Sequence, residues 1–214
     1  MSLTKYIYDT LVDEEEKACP LISYMRNTIQ DLMNSAVTFA SSPDFEDITE
    51  DNETIAELMT NLLSLLTVVS QDETFFEIYQ QRHVELIVTL CLNCMRTSKS
   101  EFATMFNDSE EFVNLALDTC DKQESECIKT KAASLLEAMC DNIDGSVTTL
   151  VQFSTNALNY SLQGQDLTQV NLMNMQNDPF ITSTPPAIIA ETCIVALTVV
   201  SYIVPKREDL VPLF

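Results

Sequence analysis

The sequence predicts an all-α fold in which antiparallel helices stack as an α-α superhelix, or solenoid, in a single region covering residues 1–214. Three observations carry this expectation. Apolar residues recur at spacings of three and four from end to end, while the alternation of a half-buried strand is rare. Glycine occurs only at Gly145 and Gly164, so the glycine-built turns of an α/β enzyme and any phosphate-cradling loop have no place to form. The hydrophobic content of 46% excludes a disordered chain. Helical segments of about 15 to 20 residues joined by short acidic turns suit a repeat array better than a closed bundle.

Helical patterning starts near Pro20, with Ile22, Met25, Ile29, Leu32, Met33, Ala36, Val37 and Ala40 on one stripe. Ser41 to Asn52 reads as an acidic loop. Thr54 and Glu57 stand at capping-box spacing, ahead of Ile55, Leu58, Met59, Leu62, Leu65, Leu66 and Val69 at helical intervals. A third helix is expected from about Glu73 to Met95, bent near Gln81, with Val84, Ile87, Val88, Cys91 and Met95 facing inward.

"SEEFVNLALDTC" reads as a short helix and "ESECIKTKAASLLEAMCDNI" as a longer one, with Ile128, Ala132, Leu135, Leu136, Met139 and Ile143 as its stripe. "SVTTLVQFSTNALNYSL" makes the next. Gly164 to Thr184 is a weakly charged connection with one helical turn around Val170 to Met175. The last helix spans Pro186 to Val204 and is apolar enough to raise the question of a membrane span. Glu191, Thr192, Thr198 and Ser201 interrupt it and prolines bound it, which suits a helix buried on most sides by protein.

Acidic residues outnumber basic ones 33 to 11, and the net charge of −22 repels nucleic acid and anionic membranes. Basic partners are the natural counterpart. No lysine or arginine falls between Asn27 and Gln81, and Asp44, Glu46, Asp47, Glu50, Asp51 and Glu53 crowd within that gap. These six are the candidate partner-binding residues, because clustered carboxylates raise the local potential and speed encounter with cations. The plainer account is a solvated loop and helix N-terminus, where carboxylates also favour the helix dipole.

Seven cysteines without an apolar N-terminal signal point to a reducing compartment and free thiols. Cys127 and Cys140 lie thirteen residues apart on one expected helix. That separates them by roughly 140° and 20 Å, too far to share a metal. Cys120 can approach Cys127, but two sulfurs are half a zinc site, and packing explains them better. Lys129 and Lys131 flank Ile128 near Glu126 and solvate the helix face.

Cys91 and Cys94 are the stronger chemical candidate, since a Cys-x-x-Cys spacing at a helix start lowers a thiol pKa or binds metal. Here the pair falls near a helix end inside an apolar run, and the sole histidine, His83, lies eight residues earlier. A helical enzyme using Cys91 and Cys94 is the rival reading; the expected protein has no catalytic residue, metal or cofactor.

At "SEFATMFNDSEEFV", followed by "CIKTKAASLLEAMCDNIDGSVTTLVQFSTNALNYSL", the sequence resembles the importin-β family of nuclear transport receptors, nearest the larger importins and the exporter of importin-α. Met105, Phe106, Asn107, Asp108, Glu110, Glu111 and Phe112 match the core of an acidic connection in the middle of the family's superhelix. A loop like "CDNIDG", a further helix, a variable loop and an alanine-rich apolar helix follow in the family's order, so the likeness covers about Asp51 to Phe214. The family's helix after the connection is often richer in arginine than "ESECIKTKAAS".

The resemblance implies HEAT-type repeats and a non-catalytic scaffold whose acidic inner surface engages basic cargo. It further implies regulation by the GTP-bound Ran GTPase, contact with nucleoporins, and shuttling between cytoplasm and nucleus, with no direct nucleic-acid binding and no membrane insertion. No Ran-binding residue carries over. Family members are several times longer, so the resemblance places this chain in the central part of such a superhelix. The alternative is another HEAT-type scaffold, such as a phosphatase or trafficking subunit.

Overall fold

The computed structural model describes residues 20–42, 44–73, 75, 81–98, 107, 128–163 and 184–201. They form α1 (Pro20–Ala40), α2 (Phe45–Asp51), α3 (Glu53–Ser70), α4 (Gln81–Met95), α5 (Ile128–Asn142), α6 (Ser146–Gln163) and α7 (Pro186–Val200). The fold is all-α, with no strand among the described residues.

Serine and threonine are weak helix formers because their hydroxyls compete for backbone partners. Here many of them return the hydroxyl to the carbonyl four residues back, as Thr28, Ser35 and Thr38 do in α1, Thr60, Ser64 and Thr67 in α3, and Thr192 and Thr198 in α7. In these three helices the hydroxyls named therefore find an acceptor within their own helix.

The six longer helices fall in chain order into three pairs, α1 with α3, α4 with α5, and α6 with α7, although α1 packs more on α4, and α3 more on α5, than they do on each other. They also stand in two files: α1, α4 and α6 touch in succession along one, and α3, α5 and α7 along the other. The first and third pairs share no substantial contact, so the middle pair separates them. One continuous apolar core threads the stack from Ile29 of α1 to Val200 of α7.

Helix α4 sits among α1, α5, α6 and α7, and every residue from Ile87 to Arg96 is buried. Fully burying each of Ile87, Leu90 and Leu92 is worth about 1.5–3 kcal/mol. Asn93 Nδ2 donates to the Thr89 carbonyl at 3.0 Å, while its Oδ1 is buried without a partner. Beyond the helix, Arg96 Nη1 donates to Thr184 Oγ1 at 3.5 Å and Thr97 Oγ1 donates to Glu191 Oε2 at 2.8 Å, joining the end of α4 to the start of α7.

Several expectations need correction. Ser41 to Asn52 is not a loop throughout: Phe45 is buried edge-to-face against Phe39, with ring centroids 5.3 Å apart, and this anchor lets Phe45–Asp51 close into α2. The cap of α3 is Asn52 rather than Thr54, since Asn52 Oδ1 accepts from the Ile55 N–H at 3.3 Å and Glu53 already belongs to the helix. On α3, Leu58 is exposed, and Leu63, absent from the expected stripe, is fully buried. Glu73 and Phe75 lie in a 3-10 turn, so the helix expected from Glu73 has Gln81–Met95 as its described part.

The stripe of α5 matches expectation: Ala132, Leu135, Leu136, Met139 and Ile143 are buried, and Ile128 packs at the edge of the core. Gly145 takes φ 82° in the turn to α6, a left-handed setting that a Cβ would penalise. Helix α7 buries Ile188, Ile189, Thr192, Cys193, Ala196 and Val200 but leaves Ile194 and Val195 exposed, so it is covered on one side rather than on most. Among the described residues no helix is long and apolar enough to cross a membrane. The "SEEFVNLALDTC" helix, the turn at Val170 to Met175, Cys120 and Cys127 lie outside the described residues, as does all of the Met105 to Phe112 match except Asn107, which is exposed.

Candidate functional site

The acidic residues singled out in the sequence lie around α2 and at the start of α3. Helix α1 ends where the Ser41 N–H bonds the Val37 carbonyl and the Ser42 N–H that of Phe39, both at 3.0 Å. The Asp44 N–H then meets the Ser42 hydroxyl at 3.3 Å, and the Ile48 N–H bonds the Asp44 carbonyl at 2.9 Å, opening α2. Asp44 stands at the N-cap without using its carboxylate as a cap. That group remains on the surface.

Phe45 fixes the rotation of α2, because its ring is committed to Phe39. At about 100° per residue, the positions of Asp44, Glu46, Asp47, Glu50 and Asp51 then fall within an arc of roughly 160° opposite Phe45. Asp51 and Glu53 are exposed on either side of the extended Asn52, which turns the chain from α2 into α3. The structure thus brings the six positions to one corner of the first helix pair. Asp44, Asp51 and Glu53 are exposed there, and the side chains of Glu46, Asp47 and Glu50 lie outside the described residues.

Glu57 is exposed one turn further along α3, beside Leu58, which is 67% exposed. Leu58 falls at helical spacing with the buried stripe, which hides this feature in the sequence. The signal was present in the spacing: α3 carries leucines at adjacent positions 62, 63, 65 and 66, more than one buried face can hold.

Cys91 and Cys94 sit in the most enclosed part of α4. Burial, the main cause, pushes the Cys91 thiol well above the usual range, and neighbouring Cys94 and Cys140 add to the rise. Burial pushes Cys94 up to about 12, with Arg96 acting against it. Cys193 of α7 is likewise pushed up to about 12 by burial, against a contribution from the Ser154 hydroxyl. These are the opposite of the lowered values that make a thiol nucleophilic. All four described cysteines are free, and among the described residues no three metal-ligating side chains gather.

No family model, curated protein or solved structure matches this chain.

Proposed function

We propose that the protein is a stretch of a helical-repeat scaffold that binds basic partner proteins, of the kind that importin-β nuclear transport receptors build from HEAT-type repeats. The observation that carries this reading is the joining of two features: three helix pairs stacked in two files, and the exposed Asp44, Asp51 and Glu53 at a corner of the first pair. Stacked pairs that contact chiefly the adjoining pair are the packing logic of a solenoid. The stretch from Asn27 to Gln81 carries no lysine or arginine, which biases that end toward negative potential.

In this reading the protein is non-catalytic. Its cargo is basic, Ran in its GTP form controls release, nucleoporins are transient partners, and the working location is both cytoplasm and nucleus. The inward, high-pKa thiols of Cys91 and Cys94 favour it over thiol enzymology.

Binding of a lysine- and arginine-rich peptide tests the reading. The unaltered protein is compared with one in which Asp44, Glu46, Asp47, Glu50, Asp51 and Glu53 are replaced by Asn or Gln, below and above roughly 0.15 M salt. Affinity should fall steeply with salt for the first and be weak at both for the second. Equal affinity for the two proteins, with helix content intact, removes the acidic corner from the reading. Failure of Ran-GTP to bind or to displace the peptide removes the nuclear-transport assignment and leaves a HEAT-type scaffold of another pathway.

A further inference from the structure

Helix α3 carries two apolar stripes, one residue apart in register. Met59, Leu63, Leu66 and Val69 are buried in the core. Leu58, Leu62, Leu65 and Val68 run alongside them at spacings of four, three and three. Leu58 is 67% and Val68 41% exposed, with Leu62 and Leu65 half-buried between them. A helix that only closes a core needs one such stripe. Isolated exposed leucines are ordinary surface, but four apolar side chains in register along about 15 Å of helix form a ridge.

The surroundings of the ridge identify what fits it. Asp51, Glu53 and Glu57 are exposed at its N-terminal end; α3 itself carries no lysine or arginine, and the basic residues on the helices packed against it are Arg26 of α1 and Lys129 and Lys131 of α5. A second copy of this chain would bring a further charge of −22 toward the same acidic surface, and an anionic membrane would be repelled likewise.

We propose that Leu58, Leu62, Leu65 and Val68 dock a short amphipathic helix of a basic partner protein. Its apolar residues, at i, i+4 and i+7, cover the ridge, and its lysines or arginines reach Asp51, Glu53 and Glu57. Matching the ridge takes a partner helix of two to three turns. The carboxylates speed encounter and set orientation, while burial of Leu58 and Val68 sets residence time. This inference rests on the reading that the protein binds basic partners, and narrows the partner from any basic segment to one that presents a helical apolar face.

Fluorescence anisotropy on the full chain tests it, with a labelled lysine/leucine peptide of about fourteen residues whose leucines share one helical face. A control peptide of identical composition has the leucines dispersed around the helix. The first should bind at least about tenfold more tightly than the control, and the L58S/V68S double variant should lose at least about tenfold for the first peptide with its circular dichroism unchanged. Equal binding of both peptides sinks the inference, and needs no variant to fold. So does full affinity in the double variant. If both peptides bind equally and only neutralising the carboxylates abolishes binding, the basic-partner reading survives while the docked helix does not. If neither binds, both fail. A dimer in sedimentation that L58S/V68S dissolves assigns the ridge to a second copy and overturns the proposal.

Discussion

Helices α3 and α4 are both rich in leucine and valine, with 18 and 15 residues respectively, yet they meet solvent differently. Helix α4 packs on α1, α5, α6 and α7 and is buried all round from Ile87 to Arg96, enclosing Thr89, Asn93 and Arg96 with its leucines. Helix α3 packs on α1, α2 and α5, fully buries a single stripe and leaves the ends of a second one, Leu58 and Val68, in water. Position in the stack, and so the number of neighbours, decides burial more than hydrophobicity does. The middle pair holds the fold, and the first pair has apolar surface to spare.

Truncation in the two helices should separate them most clearly. Leu92→Ala or Ile87→Ala in α4 should cost about 2–5 kcal/mol in urea unfolding, because the cavity left there has packed walls on every side. A cost below about 1 kcal/mol would mean that α4 is not the enclosed element described.

The buried thiols give a second contrast, this time through pH. An unfolded thiol ionises near pH ~8.5, whereas folded Cys94 and Cys193 are held up to about 12. Below the unfolded value both states keep the proton. Above it the unfolded chain releases protons that the folded one retains, so stability falls as pH rises from ~8.5 toward the folded values. Each of these thiols should cost about 1.4 kcal/mol by about pH 9.5, and Cys94→Ala should remove its share of that slope. Reaction of the native protein with a thiol reagent near pH 8 should likewise leave Cys91, Cys94, Cys140 and Cys193 unmodified until denaturant is added. Rapid native labelling of Cys94 would contradict its burial.

At the start of α3, Asn52→Ala removes the side-chain acceptor of the Ile55 N–H and should cost about 1 kcal/mol. Thr54→Ala should cost less, and the reverse order would restore Thr54 as the cap. Smallest of all, Leu58→Ala should change stability by no more than about 0.5 kcal/mol, because the side chain is largely in water already. A loss as large as that of Leu92→Ala would erase the distinction between the two helices.

What could be read in advance follows the same physics. On α5 the spacing picked out residues that are all buried or packed at the edge of the core, and missed only Ala138 and Cys140, small side chains that flank that stripe and are buried too. On α3, leucines stand on both sides of the true stripe, and only the arrangement of neighbouring helices decides that Leu63 goes in and Leu58 stays out. Helix α2 was hidden because its carboxylates outweigh its apolar residues, and the event that forms it, Phe45 meeting Phe39, joins residues on two different helices. The acidic corner was legible as composition but not as geometry: the crowding of Asp44 to Glu53 is visible in the sequence, whereas the common face opposite Phe45 requires the helix.

The two polar links between α4 and α7 have a consequence for how the last helix is oriented. Helix α7 presents Ile189, Ile194, Val195, Leu197 and Val199 around its axis, and apolar contacts of such similar size would be satisfied almost as well after a rotation or a slip of one turn. Thr97 to Glu191 favours one setting directly, since Glu191 lies on α7, while Arg96 to Thr184 ties down the chain just before the helix begins. The links therefore act as an index mark: they add little to the strength of packing, but they select the angular phase of α7, and with it the choice of Ile194 and Val195 as the side chains left facing water.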